Sequence, residues 1–189
     1  MNDLLDLVRI RLRCKTTDQD DLIEPRRWPV ARAGELAWDE ETLGLSLPPM
    51  LKRLYLDIGN GGFGPGYGLI GMTGGAPDDT GKTAPEIYLQ LREGDPEEPE
   101  WKWPEGLLPI CHWGCAICSC VDCATPGFPM RIFDPNTRGV DDTWNDCIFD
   151  EAESFETWIA AWARGVDLWD QAYGEAGRVA CVLAARGGR

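Results

Sequence analysis

The sequence predicts a single α+β domain: a mixed, mostly antiparallel sheet with helices packed around it. Three observations carry that expectation. Residues 47–71 read LPPMLKRLYLDIGNGGFGPGYGLIG, in which an apolar stripe of helical period runs straight into a glycine cluster. Residues 107–134 hold three short apolar runs parted by turn residues, the pattern of consecutive strands. Residues 155–169 return to helical spacing, with Phe155, Trp158, Ile159, Trp162, Val166 and Trp169 along one stripe. A chain of 189 residues with 43% hydrophobic residues and nine tryptophans suffices for one sizeable core.

Taken in order, Leu4, Leu5, Val8, Ile10 and Leu12 predict a short helix with a basic edge at Arg9, Arg11 and Arg13. Residues 16–21 are polar and acidic, a loop. Residues 26–29 (RRWP) are extended or turned, because Pro29 disfavours helix at the residue before it. The chain is therefore divided into an N-terminal extension (1–34, helical then irregular), the domain (35–170) and a C-terminal tail (171–189). A helix over 35–43 ends at Gly44. Leu45 and Leu47 lead into the pivotal helix, where Pro48 and Pro49 suit a first turn whose N–H groups are unpaired anyway. Leu51, Leu54, Tyr55 and Ile58 form its apolar face, and Gly59-Asn60-Gly61-Gly62 stops it. Gly66 and Gly68 then introduce an expected strand over 67–72. Residues 73–82 form a loop, 84–91 a helix, and 93–100 (EGDPEEPE) an acidic, proline-broken connection. Strands are expected over 107–112, 116–123 and 129–134, with Gly114 in the first connection and Asp134-Pro135-Asn136 ending the third. Asp150 and Glu153 fit a capping box for the last helix, which is expected to lie across the sheet.

The pattern from Leu47 to Gly71 closely resembles the SUKH superfamily of Smi/Knr-type proteins. The resemblance continues in Leu43-Gly44, in Leu107-Leu108-Pro109-Ile110, in Trp113-Gly114-Cys115 and in Ser154-Phe155-Glu156-Thr157-Trp158, about residues 35–165 in all. Its motif residues here are Leu47, Pro48, Leu51, Tyr55, Gly59, Asn60, Gly61, Gly62 and Gly64. The resemblance implies a SUKH-like fold with no catalytic residues. It also implies a non-catalytic module that binds and neutralises a cognate bacterial toxin. Its alternative is a Smi/Knr-type regulatory scaffold among host proteins.

The charge agrees with a basic partner. Residues 35–160 carry 23 acidic against 7 basic side chains, a net −16 within a chain of net −14. Such a domain repels nucleic acid and anionic membrane and steers basic proteins towards itself. No apolar run reaches the ~18 residues of a membrane span. The opening MNDLLDLVRIRLRCK, with Asp3 and Asp6, does not read as a secretory signal, so a cytoplasmic location is expected. The expected contact residues are Glu93, Asp95, Glu97, Glu98 and Glu100 in one segment and Asp141, Asp142 and Asp146 in another. Trp101, Trp103 and Trp113 are read as packing at the sheet edge, with an interface anchor as the alternative.

Other motifs are weaker. Gly59, Gly61 and Gly64 satisfy G-x-G-x-x-G, but a dinucleotide site needs a strand before it and a helix after it, the reverse of the order here. Gly81-Lys82-Thr83 imitates the end of a P-loop, yet Ala76 stands where glycine is required. No cofactor is therefore expected. Five of eight cysteines lie between 111 and 123, and Cys115-x-x-Cys118 and Cys120-x-x-Cys123 have zinc-ligand spacing. On a strand, however, Cys118 and Cys120 stand ~6.7 Å apart, against ~3.8 Å between sulfurs on one zinc. A cysteine-based zinc site thus requires a broken strand; otherwise these are buried reduced cysteines. His112, the only histidine, and Cys111 point to opposite faces of a strand and make a poor nucleophile–base pair. Asp122 and Asp134 are not singled out as an acid–base pair by their spacing.

Overall fold

Pro48 caps and Pro49 opens the pivotal helix, so neither proline removes a helical hydrogen bond. In the computed structural model, which describes residues 3–14 and 28–174, this helix is α3, Pro49–Asp57. The expectations for 16–21, for Arg26-Arg27 and for the tail from 175 onward lie outside the described residues. Before α3 come α1 (Leu4–Arg13) and α2 (Ala33–Leu43), the latter ended by Gly44 in the left-handed conformation. After it come α4 (Ala84–Glu93), β1 (Leu107–Gly114), β2 (Ile117–Asp122), β3 (Met130–Phe133), β4 (Ile148–Ala152), α5 (Phe155–Ala163) and α6 (Leu168–Tyr173). The sheet is a meander in the order β1-β2-β3-β4, and every pair is antiparallel. It is thus not mixed among the described strands, and the domain is α+β.

The glycine corner is held by one side chain. Asn60 is 3% exposed. Its Oδ1 accepts from Met72 N–H at 2.9 Å, and its Nδ2 donates to the Thr73 carbonyl at 3.2 Å. Its backbone donates to Pro29 and accepts from Ala76, at 2.9 and 2.8 Å. Residues 69–76 approach so closely that a Cβ on Gly75 would lie 2.5 Å from the Asn60 side chain. A Cβ on Gly61, at φ +82°, would lie 2.6 Å from Leu69 O. Buried Tyr55 adds a donor to Ile70 O at 2.6 Å. The expected strand over 67–72 is reduced to a single bridge, Leu69 opposite Cys111. Tyr67 and Ile70 donate to His112 and Ile110, but Gly66 and Gly68 at positive φ turn the chain out of a regular ladder.

Two further expectations are corrected near the C-terminus. Asp150 lies inside β4, paired opposite Arg131, and caps nothing; Ser154 caps α5 by accepting from Thr157 N–H. The single apolar stripe is divided between two helices. Gly165 at φ +94° breaks it, leaving Val166 exposed and Trp169 on α6. α1 packs on α5, so Leu5 and Val8 join the core cluster, and Arg53 ties Asp3 at 2.8 Å.

α5 packs against the sheet through β4, and α4 packs against β1. α5 brings Trp158, whose indole N–H donates to Glu151 Oε1 at 2.7 Å. Ser119 donates to the same oxygen at 2.9 Å and accepts from Trp113 Nε1, also at 2.9 Å. Glu151 Oε2 is buried and has no hydrogen-bond partner among the described residues. Burial pushes the Glu151 carboxyl up to about 7, against the opposing pull of the two donors.

Two predictions follow from this packing. Asn60→Ala leaves Met72 N–H buried and unpaired, an expected loss of about 2–3 kcal/mol. Asn60→Asp is expected to cost more, because a carboxylate oxygen would replace the donor facing Thr73 O. Urea unfolding checks both, and an Asn60→Ala loss below about 0.5 kcal/mol would remove Asn60 from this role. For Glu151, the native state holds its proton up to about pH 7, whereas the unfolded chain releases it near 4.5. Between those values the native state binds more protons, so stability falls as pH rises. Wild type is therefore expected to lose about 2–3 kcal/mol more than Glu151→Gln between about pH 5 and pH 8. Parallel stability–pH curves for the two proteins would contradict this.

Candidate functional site

The two acidic segments predicted as contact surfaces are 40 residues apart in sequence, yet the structure brings them together. Arg138 is the tie: its guanidinium meets Glu98 in two hydrogen bonds of 2.6 and 2.9 Å. The same guanidinium lies over the Trp144 ring, 4.0 Å from its centroid. Both charges respond: the Glu98 carboxyl is held below, and the Arg138 guanidinium above, its ordinary pKa by their mutual hydrogen bonds. Trp101 Nε1 donates to Asn145 Oδ1 at 3.1 Å. Beneath them Trp101, Trp103, Phe133 and Trp144 stack edge to face or tilted, with centroids 5.1–6.2 Å apart.

The eight acids divide by what they touch. Asp95 accepts from Glu97 N–H, Asp142 from Gly139 N–H, and Asp146 from both the N–H and hydroxyl of Thr143, each at 2.8 Å. Those Thr143 bonds hold the Asp146 carboxyl below its ordinary pKa. The side chains of Glu93, Glu97, Glu100 and Asp141 are exposed and make no ion pair among the described residues. Val140 stands fully exposed beside Asp141. Of the tryptophans, Trp103 is fully buried and donates to Leu107 O, while Trp113 is half-buried and packs against Trp169.

A groove shares a wall with this surface. A cavity of 280 Å³ opens between α4, the 78–82 loop and the sheet face that carries His112, Cys118 and Phe133. Ile87 and Leu91 of α4 line one side, and Phe133, part of the aromatic cluster, lines the other. Its far end is the β1–β2 turn. Cys115 and Ala116 hold φ +51° and +63° there, a left-handed two-residue turn made without glycine or asparagine. Asn136 steadies it by donating to Cys115 O at 3.0 Å. Gly114, expected in the connection, is the last residue of β1.

His112 lines the groove and stacks on Tyr67 at 4.9 Å, while Cys111 points away and donates to Pro65 O. Nδ1 of His112 is buried and has no hydrogen-bond partner among the described residues; the nearest acid, Asp79 Oδ1, is 3.8 Å away. Burial lowers the His112 pKa against the pull of Asp79 and Asp78. Asp122 and Asp134 are occupied separately. Asp122 caps the turn at 124–125, and buried Asp134 holds Asn136 and the Tyr173 hydroxyl.

The described cysteines are not gathered as metal ligands. β2 stays unbroken, so Cys115 and Cys123 flank it at opposite ends, with its six residues, ~20 Å of strand at ~3.3 Å per residue, between them. Cys118 and Cys120 lean together, with sulfurs 3.6 Å apart, nearer than the strand spacing implies. Among the described residues no three His, Cys, Asp or Glu side chains are grouped as a metal site requires. Burial raises the Cys120 and Cys111 thiols well above their ordinary pKa, the behaviour of core cysteines.

The glycine corner is preceded by a helix and followed by a bridge; of the G-x-G-x-x-G residues, Gly61 and Gly64 pack against Leu69 and Gly71, and Gly59 against the Trp28 carbonyl. The groove and the joining of the acidic segments were beyond sequence reasoning. The available signal was Arg138 beside a segment that is otherwise acidic or neutral. No helix among the described residues is long and apolar enough to cross a membrane.

A search among curated proteins gives no match. The family model SMI1 / KNR4 (SUKH-1) matches residues 31–161, from just before α2 into α5. With that span covering the glycine corner, the meander and the groove, the chain belongs to the SMI1 / KNR4 family (SUKH-1).

Proposed function

We propose that the chain is a non-catalytic, cytoplasmic protein-binding module, an immunity protein that neutralises a basic cognate toxin by covering its active site. The observation that carries this reading is the joining of residues 93–100 and 139–146 into one acidic surface around the Glu98–Arg138–Trp144 contact. Neither segment contains a lysine or arginine. Charges at such a rim speed encounter, and the apolar groove beside them supplies surface that slows dissociation. No nucleic-acid or membrane contact belongs to this reading, because the same surface repels both. A Smi/Knr-type regulatory scaffold is the alternative. It shares the family and the mode of action, and differs in the partner being a host protein.

The test is co-expression with candidate toxin domains taken from the neighbouring genes, followed by stopped-flow association of the purified pair. Protection of the cells and an association rate falling about tenfold or more between about 50 and 500 mM salt are expected. Combined Glu93→Gln, Glu97→Gln, Glu100→Gln and Asp141→Asn substitutions are expected to lower that rate several-fold with the fold unchanged. Failure to protect rejects the immunity reading; a salt-independent rate rejects the steering.

A further inference from the structure

We propose that the groove beside His112 receives an arginine side chain of the protein partner. Its stem would lie on Ile87, Leu91 and Phe133, and its guanidinium between His112 Nδ1 and the Asp79 carboxylate. The inference deepens the binding-module reading and rests on it for the source of the arginine; the chemistry of the groove stands independently.

Size comes first. At 280 Å³ the groove falls just below the ~300–1,000 Å³ of small-molecule and cofactor pockets, and suits one long side chain. Its walls are apolar and its mouth is charged, which matches a residue with an aliphatic stem and a cationic head. Among the described residues Asp78, Asp79 and Lys82 are its only charged lining residues, so that lining is net negative when His112 is neutral. α4 adds Gln90 there, and the hairpin adds no charge.

The head group is selected by the Asp79 carboxylate and, in the Nε2–H tautomer, by His112 Nδ1. His112 Nδ1 and Asp79 Oδ1 are 3.8 Å apart, too far to bond each other, and Nδ1 is buried without a partner among the described residues. A planar guanidinium presents several N–H groups in fixed directions and can donate to a nitrogen lone pair and a carboxylate together. A compact ammonium reaches such a divided pair less well. Burial disfavours the charged imidazolium, so one ring nitrogen is left free to accept. Asp78 is already engaged, its Oδ1 accepting from Thr80 and Lys82 N–H, so the loop is set before binding. The groove shares Phe133 with the aromatic cluster beneath the acidic surface, so an arginine from a basic partner would enter beside the charges that attract it.

Because His112 is the only histidine, its imidazole signals are unambiguous by NMR. The test titrates the intact chain with N-acetyl-arginine methylamide, and in parallel with the lysine, leucine and glutamate analogues. Expected is saturable binding of the arginine probe with Kd on the order of 1 mM. Its ¹⁵N signature is the Nε2–H tautomer, with a lowered His112 pKa. Asp79→Asn, at an exposed loop position, is expected to weaken the probe at least about tenfold. Equal shifts with all four probes, preference for glutamate, no response at His112, or a rise in its pKa would each overturn the proposal. Arginine binding without protection against the toxin would reject the immunity reading and leave the groove assignment standing. Protection without arginine binding would do the opposite.

Discussion

Asn60 is the point at which the separate parts of the domain are tied. Its backbone meets Pro29 from the chain before α2 and Ala76 from the chain before α4. Its side chain takes the N–H of buried Met72 and donates to Thr73 O. Met72 is fully buried, so its N–H needs a protein partner, and Asn60 Oδ1 supplies it. The glycines around it follow from this. A Cβ at Gly71 or Gly75 would strike Asn60 or the backbone behind it. With the corner fixed, residues 67–70 lie along β1, and Tyr55 fastens α3 to the same segment. A turn that resembles a nucleotide loop in sequence is therefore a joint in a core, its amides directed at its own chain.

The sheet then separates two kinds of environment. On the α5 face, Trp113, Ser119, Glu151 and Trp158 share a short hydrogen-bond chain that ends in a carboxyl oxygen unpaired among the described residues. On the α4 face the sheet is not closed over, and His112, Cys118 and Phe133 look into the groove. Alternation along β1 makes this division unavoidable, because Cys111 and Trp113 face one way and His112 the other. The buried acid concerns stability; the half-covered histidine has an acceptor to offer a visitor.

What the sequence made legible was local. Proline placement, an i, i+3, i+4, i+7 stripe and a terminal glycine sufficed for α2, α3 and α4, and turn residues located β1, β2 and β3. What it hid depended on distant partners. β4 reads IFDEA, too acidic for a strand by composition, and forms because β3 pairs with it and Arg131 meets Asp150. Its Asp150 therefore imitates a helix cap. The 67–72 segment has strand-like residues, but Gly66 and Gly68 turn it after one bridge. The long C-terminal stripe hides the Gly165 break, since periodicity carries across a short interruption. The eight acids of the candidate surface were visible as residues; their meeting through Arg138 was not, because nothing local relates position 98 to 138.

That meeting also explains how so acidic a surface keeps a shape. Glu93, Glu97, Glu100 and Asp141 repel one another, and loops of residues 93–100 and 139–146 left alone would splay into solvent. Three restraints oppose this. Asp95, Asp142 and Asp146 bind their own loops' N–H groups, so each turn is closed by the acid it carries. Lys102 closes the base of the first loop on Glu93 O. Arg138, flat on Trp144, joins the two loops through Glu98 and removes one negative charge where they touch. Acids used as staples hold in place the acids left unpaired, so little ordering remains to be done when a partner arrives. On this account Arg138 serves the binding surface by its geometry as much as by its charge. A lysine there would keep the charge and lose both the forked contact and the stacking.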